Sequence, residues 1–229
     1  MAAPDYTQLA NQIRVFGFAR IEAVVTEDLA ALADEFEAVL APQLGSPVDE
    51  RVTAFDVLRD MPTLQRLSES DTITQCCRAF YGRDFAIVAS DINLLVDDSY
   101  WHSDGWFENA AFLRFVLYLE PLVGANGALR FLPGSHRPAN GWQGEPVRAV
   151  MQHEPALGLE GWELPAVTVN SQPGDLIVFD TNTLHSAWHG RLRRQLAFNV
   201  AGEPLDAAER SDRARYFLSR YVSTGVRFS

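Results

Sequence analysis

The first third of the chain has apolar residues at helical spacing. Within LAALADEFEAVLAPQL (29–44) apolar side chains recur every three or four positions, which places them on one face of a helix. Thr26 is a plausible N-cap for this helix. The same spacing predicts a short helix over 7–16 and a second long helix over 62–81. Between the first two helices, FARIEAVV (18–25) has the β-branched residues and the length of a strand.

From about residue 84 the pattern changes to short strand-like runs separated by Gly, Pro, Asn and Asp turn signals. These runs are FAIVASDINLLV, AFLRFVLYLEPL, GALRFLPGS, AVTVNSQPGDLIVFD and RQLAFNVAG. Residues 204–221 predict a closing helix. A helical first third followed by regularly spaced strands is typical of an α+β, mainly β domain, in which helices support a β-sandwich or barrel. We expect residues 1–229 to form one domain.

Composition narrows the classes of function. The formal net charge of −11 disfavours nucleic acids and anionic membranes as partners. All 19 basic residues are arginines, which excludes lysine-based catalysis. Cys76 and Cys77 are adjacent, cannot form an ordinary disulfide with each other and match no zinc spacing, so we expect buried helix residues in a reducing compartment. With no apolar signal segment and no 18-residue apolar run, a cytoplasmic protein is expected.

A candidate metal site begins at YWHSDGWF (100–107). In a strand, residues i and i+2 point to the same side, so His102 and Asp104 can reach one ion. A non-haem Fe(II) centre needs two neutral imidazoles and one carboxylate, and it leaves three positions open for co-substrate and O₂. Downstream, PGDLIVFDTNTLHSAWHG offers His185 and His189 as competing third ligands. The ordinary alternative for the triplet is a loop histidine followed by a turn-forming aspartate.

An arginine is also required if the co-substrate is 2-oxoglutarate, because the far carboxylate of that molecule needs a permanently charged partner. RLRRQLAFNV (191–200) offers several. Strand alternation puts Arg193 on a polar face with Gln195, whereas Arg194 falls on an apolar face. A pocket for a dicarboxylate favours the polar face, and we therefore predict Arg193.

Four motifs in order resemble the phytanoyl-CoA dioxygenase family of Fe(II)/2-oxoglutarate-dependent oxygenases. WHSDGW resembles the tryptophan-flanked His-x-Asp of the family, and NGALRFLPGSHRP resembles its Asn-Gly-x-Leu and Pro-Gly-Ser-His segment. PGDLIVFDTNTLHS resembles the Gly-Asp strand that leads to the distal histidine, and RRQLAFNV resembles the arginine-led final strand. The opening FGFARIEAVVTEDLAALADEFEAVL is similar as well.

This resemblance implies a double-stranded β-helix of the jelly-roll or cupin type, with Fe(II) held by His102, Asp104 and His185. It also implies 2-oxoglutarate and O₂ as co-substrates, with release of succinate and CO₂. Related halogenases have Gly or Ala in place of the carboxylate, so Asp104 favours hydroxylation, desaturation or cyclisation. Three departures stand out. Ser103 is the central residue of the triplet where glutamine is frequent, the spacing from His185 to the arginine is short, and a lysine ahead of the triplet is missing. Asn93 is a candidate to replace the lysine, and a solvent-facing strand position is its alternative.

The substrate is the least constrained part. Trp101, Trp106 and Phe107 flank the predicted ligands and are candidates to line the substrate pocket, although such rings are often core residues. Segments 43–60 and 139–165 are expected to frame its mouth. We expect a small metabolite or natural-product intermediate. The alternatives are a cupin-type metal-dependent dioxygenase or isomerase that does not use 2-oxoglutarate, and a binding module that only keeps the fold.

Overall fold

The computed structural model describes residues 4–43, 50–105, 107–137, 149 and 158–223. Five α-helices have defined bounds in this part of the chain. They are α1 (Tyr6–Phe16), α2 (Leu29–Leu40), α3 (Pro62–Ser68), α4 (Asp71–Tyr81) and α5 (Ala207–Ser223). None of these described helices has the length and apolar character needed to cross a membrane.

Ten strands form two antiparallel sheets. They are β1 (Phe18–Ile21), β2 (Val52–Phe55), β3 (Phe85–Leu95), β4 (Ser99–His102), β5 (Phe112–Tyr118), β6 (Leu129–Phe131), β7 (Val167–Val169), β8 (Leu176–Asp180), β9 (His185–Ala187) and β10 (Arg193–Gly202). The larger sheet has the order β1-β8-β5-β10-β3-β2, and the smaller has the order β4-β9-β6-β7.

The eight strands β3 to β10 form a double-stranded β-helix. Four of them (β3, β5, β8 and β10) lie in the larger sheet and face the other four (β4, β6, β7 and β9) in the smaller sheet, and the chain changes sheet at every step except between β6 and β7. The remaining two strands, β1 and β2, extend the larger sheet at its edges by pairing with β8 and β3. The predicted α+β, mainly β fold with a jelly-roll core is confirmed.

The helices cover the outer face of the larger sheet. Side chains of α1, α2 and α4 form one buried cluster with every second residue of β5, β8 and β10. A second cluster fills the space between the two sheets. At the end of the chain, Tyr216 of α5 packs against Phe107 and Phe112. The side chains of these strands that point away from the helices face the interior of the double-stranded β-helix, and they build the site described below.

Several local predictions are corrected. The strand predicted over 18–25 ends at Ile21, because Ala23 has a φ of 51° and the amide of Val25 donates to the carbonyl of Gly174. The N-cap position of α2 is Asp28 and not Thr26. The single helix predicted over 62–81 is two helices, because Ser70 has extended backbone angles and starts α4 at Asp71.

The two cysteines are fully buried in α4, as predicted. Burial raises the pKa of the Cys76 thiol to about 12 and raises that of Cys77 as well. Since the thiolate is the reactive form, both cysteines are inert packing residues.

Candidate active site

Two histidines meet across neighbouring strands. His102, the last residue of β4, is paired in register with His185, the first residue of β9, and their ring centroids lie 4.2 Å apart. Asp104 lies two residues beyond the end of β4, outside the strand, and its backbone amide donates to the carbonyl of Thr181 over 2.9 Å. The Nε2 atoms of both histidines lie 3.8 Å from Oδ1 of Asp104. One ligand atom from each of the three residues can thus face a common centre, with all three atoms within 4.8 Å of one another.

Backbone carbonyls hold both imidazoles in the orientation that a metal requires. Nδ1 of His102 donates to the carbonyl of Tyr100 over 2.6 Å, and Nδ1 of His185 donates to the carbonyl of Thr183 over 2.9 Å. With the proton on Nδ1, each Nε2 presents a lone pair to the common centre. Burial, followed by the neighbouring His102, lowers the pKa of His185 to about 4. His185 is therefore neutral at physiological pH, as a metal ligand must be.

Asp104 is held from the opposite side by a buried arginine. Its Oδ2 lies 3.4 Å from Nε of Arg114 on β5, while its Oδ1 faces the histidines. Arg114 forms a bidentate pair with Asp91 on β3, at 2.9 and 2.7 Å. Burial opposes the charge of this guanidinium, but Asp91 and Asp104 outweigh it and raise the pKa of Arg114. The arrangement presents one oxygen of Asp104 to the centre and places the other beside the Arg114 guanidinium.

A cavity of about 180 Å³ opens beside the three residues. Its apolar wall consists of Leu95, Leu129, Phe179 and Ala187. Its polar wall consists of Arg51, Ser99, Arg114, Tyr118, Arg193 and Gln195. Two His and one carboxylate with open positions beside them form the donor set of non-haem Fe(II) oxygenases. The described residues therefore fit an Fe(II) ion in both donor type and arrangement.

Arg193 lines this cavity as a buried cation. Only 1% of the residue is exposed, and its guanidinium donates to the carbonyls of Gly127, over 3.1 Å, and Asp97. Its Nε is buried without a hydrogen-bond partner, and among the described residues no carboxylate lies within 4 Å of it. A Cβ on Gly127 or Gly190 would lie 2.6 or 2.5 Å from its side chain, so both glycines are needed to admit it. An unpaired buried guanidinium is unfavourable unless an anion joins it.

Its neighbour Arg194 points to the other side of the sheet. It pairs with Glu120 at 2.6 Å and with Glu37 at 3.1 Å, and 31% of its side chain is exposed. Strand alternation therefore separates the two arginines in the way that the sequence predicts, with Arg193 in the cavity and Arg194 outside it.

The family model of phytanoyl-CoA dioxygenase (PhyH) matches residues 13–191. The chain belongs to the phytanoyl-CoA dioxygenase family. The matched region contains His102, Asp104 and His185 and ends two residues before Arg193. No curated protein sequence matches the chain significantly.

Solved structures of related fold include three informative ones. HygX from Streptomyces hygroscopicus, solved with nickel and 2-oxoglutarate bound, is 16% identical with a TM-score of 0.70 over 88% of each chain. The non-haem α-ketoglutarate-dependent carbocyclase SnoK from nogalamycin biosynthesis is 20% identical with a TM-score of 0.67, over 88% of this chain and 87% of its own. EctD from S. alaskensis is 22% identical with a TM-score of 0.65, over 91% and 83%. At these identities the likeness establishes the fold.

Asn93 lies one layer behind the cavity wall. It is fully buried on β3, which excludes the solvent-facing alternative. Its amide donates to Asp91 over 2.7 Å and to Gln195 over 3.0 Å, and its oxygen accepts from Arg51 and Thr53. Since each polar atom of its side chain is engaged, a direct bond to the co-substrate requires one of these to break. Asn93 instead orients Arg51 and Gln195, both of which do line the cavity.

Two of the three rings predicted to contact substrate, Trp101 and Phe107, do not line the cavity. Trp101 is 1% exposed, donates from Nε1 to the carbonyl of Gly161 and packs with Leu132, Leu164, Leu184 and Trp188. Because it precedes His102 by one residue, strand alternation turns it to the far side of the smaller sheet. Phe107 packs against Phe112 and Tyr216. Both are corrected to packing residues, while Trp106 lies outside the described residues.

Sequence reasoning missed several residues of the polar wall, above all Arg51, Arg114 and Tyr118. One usable signal was present. Arg114 interrupts the apolar strand FLRFVLY, and Asp91 and Asn93 share one side of the otherwise apolar FAIVASDINLLV. Ionised side chains on a buried strand are unfavourable unless they are paired, so they mark a polar site inside the barrel. No comparable signal distinguishes Arg51, whose position depends on how β2 pairs with β3.

Proposed function

We propose that the protein is a non-haem Fe(II)/2-oxoglutarate-dependent oxygenase that oxidises a C–H bond of a small molecule. The observation that carries this proposal is Arg193, a buried and unpaired cation in the same cavity as His102, Asp104 and His185. A metal site alone fits many enzymes, whereas a metal site with an adjacent buried arginine fits a co-substrate that both chelates a metal and carries a distant carboxylate.

His102, His185 and Oδ1 of Asp104 would hold the iron, and Arg193 would hold the distal carboxylate of 2-oxoglutarate. With O₂ as the oxidant, the bound metal and co-substrate would supply an oxidative decarboxylation that gives succinate and CO₂, together with the oxidising power for the C–H bond. Tyr118 and Gln195 line the same cavity as Arg193. The Gln195 side-chain amide donates to the Tyr118 hydroxyl over 2.7 Å, which holds the two side chains in place.

The other residues of the chain control orientation and water. The imidazole of His185 packs against Phe179, with ring centroids 4.7 Å apart, and against Phe131 at 5.9 Å. These rings exclude water from one side of the ligand set and fix the imidazole plane. Arg114 keeps Oδ2 of Asp104 turned away from the histidines, which favours coordination through one oxygen and leaves positions open for co-substrate and O₂.

The reaction we favour is hydroxylation, or a related C–H oxidation such as desaturation or cyclisation, and not halogenation. Asp104 supplies the carboxylate that related halogenases lack. A carbocyclase and an epimerase from nogalamycin biosynthesis share the fold, which supports a small metabolite or natural-product intermediate as substrate.

The test is succinate formation by the Fe(II)-loaded protein with 2-oxoglutarate under O₂. We expect succinate only when 2-oxoglutarate is added, with faster release in the presence of a productive small molecule from a metabolite panel. Asp104→Ala should abolish it. The conservative control is Arg194→Gln, which removes a neighbouring arginine outside the cavity and should leave the rate unchanged.

A cupin-type enzyme that does not use 2-oxoglutarate is the alternative. Substrate oxidation by the Fe(II)-loaded protein that is indifferent to 2-oxoglutarate and releases no succinate would favour it. A ligand that binds equally well to wild type and Asp104→Ala, with no turnover in either, would indicate a binding module.

A further inference from the structure

A second arginine of the cavity also lacks an acidic partner. Arg51 lies immediately before β2, is solvent-exposed and lines the same cavity as the metal ligands. Its Nε and Nη2 donate to Oδ1 of Asn93 over 3.2 and 2.6 Å, and Nε also lies 3.2 Å from the Thr53 hydroxyl. Within the described part of the chain no carboxylate lies within 4 Å of its guanidinium. Neutral acceptors thus fix the side chain without neutralising it.

The strand register explains why Arg51 is held in place. Thr53 pairs with Asn93, and Asn93 pairs with Gln195 on the next strand. The Asn93 amide bonds to Asp91 and Gln195 leave its oxygen directed at Arg51. Because Nη1 makes no hydrogen bond to a described residue, part of the guanidinium fork stays available to a ligand.

The charged side chains around the cavity leave one positive charge unbalanced. Three guanidiniums (Arg51, Arg114 and Arg193) line the cavity, against two carboxylates, Asp104 in the wall and Asp91 behind it as the partner of Arg114. A divalent metal and a doubly charged co-substrate cancel each other. Arg114 is already paired with Asp91, and the buried Arg193 is the partner proposed for the co-substrate. The exposed Arg51 is therefore the cation that is still available to bind the primary substrate.

We infer that Arg51 binds a carboxylate of the primary substrate at the mouth of the cavity, so that the enzyme acts on carboxylic acids. This inference rests on the proposed function, because it assigns the co-substrate to Arg193. The same chemistry has a second source, since a carboxylate of 2-oxoglutarate could also occupy Arg51. The difference in exposure between Arg51 and Arg193 favours the primary substrate.

Calorimetric titration of the Ni(II)-loaded protein separates these sources, since nickel avoids turnover. The first titrant is 2-oxoglutarate. The second is a series of small acids with their primary amides, such as phenylacetate with phenylacetamide and octanoate with octanamide, added to the protein saturated with Ni(II) and 2-oxoglutarate. We expect at least one acid to bind about tenfold or more tightly than its amide, as a charge-assisted hydrogen bond predicts.

The variants are Arg51→Gln, Arg51→Lys and Arg59→Gln. Arg51→Gln should abolish the preference for acid over amide and change 2-oxoglutarate affinity less than about threefold, while Arg51→Lys keeps part of the preference. Arg59→Gln is the matched control, because Arg59 is an exposed arginine of the same segment that does not line the cavity. It should behave as wild type.

Three results would overturn the inference. They are equal binding of every acid and its amide to wild type, a preference that survives in Arg51→Gln, and a tenfold or larger loss of 2-oxoglutarate affinity in Arg51→Gln. The last would assign Arg51 to the co-substrate. Failure of the proposed function looks different, because the Ni(II)-loaded wild type would then not bind 2-oxoglutarate at all.

Discussion

The two faces of the larger sheet differ in what they bury. Toward the helices, β5 and β10 bury only apolar side chains, which are Leu113, Phe115, Leu117, Leu196, Phe198 and Val200. Arg194, at the start of β10, lies on the same side but is partly exposed and paired with Glu37 and Glu120. Toward the cavity, the same two strands present Arg114, Tyr118, Arg193, Gln195 and Asn199, all of them at most 8% exposed. Val116 and Ala197 on this side belong to the apolar cluster between the sheets, so the polar groups form a patch and do not cover the whole face. Within that patch, a single step along either strand changes an apolar environment into a polar or charged one.

This difference separates stability from function. Burying apolar surface stabilises a fold by roughly 25 cal/mol per Å². Burying charge costs free energy unless each group is paired, and even a well-paired buried ion pair is often no better than apolar residues of the same size. The helix-facing side thus holds the sheet together, whereas the cavity-facing side retains buried polar and charged groups whose proposed role is to orient ligands. Substitutions on the two faces should affect different quantities.

The largest loss of stability is expected on the helix-facing side. Phe115 is fully buried and stacks on Phe198 with ring centroids 5.1 Å apart. Phe115→Ala should lower the free energy of unfolding by about 3–5 kcal/mol, because it removes this contact and leaves a cavity. Urea denaturation measures the loss. A folded variant that also lost its affinity for metal or 2-oxoglutarate would contradict the separation of stability from ligand binding between the two faces.

On the cavity-facing side, a pair of substitutions should change stability and ligand affinity independently. Arg114→Met leaves Asp91 buried without its bidentate partner and should cost about 3 kcal/mol. Adding Asp91→Asn removes the stranded charge, so the double variant should regain stability to within about 1 kcal/mol of wild type.

The same double variant should still bind the metal about 10- to 100-fold more weakly, since Asp104 no longer has Arg114 behind it. Titration with Co(II) measures this affinity, and Asp91→Asn alone is the control for the change at β3. Metal affinity that returns together with stability would show that Arg114 serves only the fold.

The smallest effect on stability is expected at Asp180, the last residue of β8. Its position in the strand alternation is that of the helix-facing residues Leu176 and Val178. Burial raises the pKa of Asp180 to about 7, against a value of 3.8 in the unfolded chain, even though the Asn182 amide donates to it. The folded state therefore binds this proton more tightly, and its stabilising effect is present below pH 4 and lost as pH rises through 7.

Asp180→Asn should accordingly stabilise the protein by roughly 1–3 kcal/mol at pH 8 and leave its stability at pH 4 nearly unchanged. Asparagine keeps the acceptor for the Asn182 amide. Unfolding free energies at the two pH values measure the difference. A variant that is equally stabilised at both would mean that Asp180 is not protonated on folding in this range.

Alternation along single strands is what made much of this site predictable from sequence. The opposite placement of Arg193 and Arg194 follows from the period of two in a strand. Asp104 instead lies beyond the end of β4, where a hydrogen bond from its backbone amide to the Thr181 carbonyl fixes its position. The family motifs supplied the order in which the ligands occur. The double-stranded β-helix was therefore foreseeable, as was the meeting of His102, Asp104 and His185.

What could not be predicted depends on register between distant segments. Arg51 reaches the cavity only because β2 pairs with β3 so that Thr53 lies beside Asn93. The closeness of Trp101 to His102 in sequence makes it a candidate for substrate contact, yet one residue of offset puts it on the other side of the sheet. The break in the helix predicted over 62–81 arises from an extended Ser70, which a periodic apolar pattern does not reveal.

The most direct test of the account is the affinity of the Ni(II)-loaded protein for 2-oxoglutarate in two adjacent variants. Arg193→Gln removes the buried cation and should weaken 2-oxoglutarate by about 30-fold or more, as expected when a buried charge pair loses one partner. Arg194→Gln removes the outward-facing arginine and should change the affinity less than about twofold. Equal affinities in the two variants, or a larger loss in Arg194→Gln, would contradict the assignment of the cavity-facing side to 2-oxoglutarate.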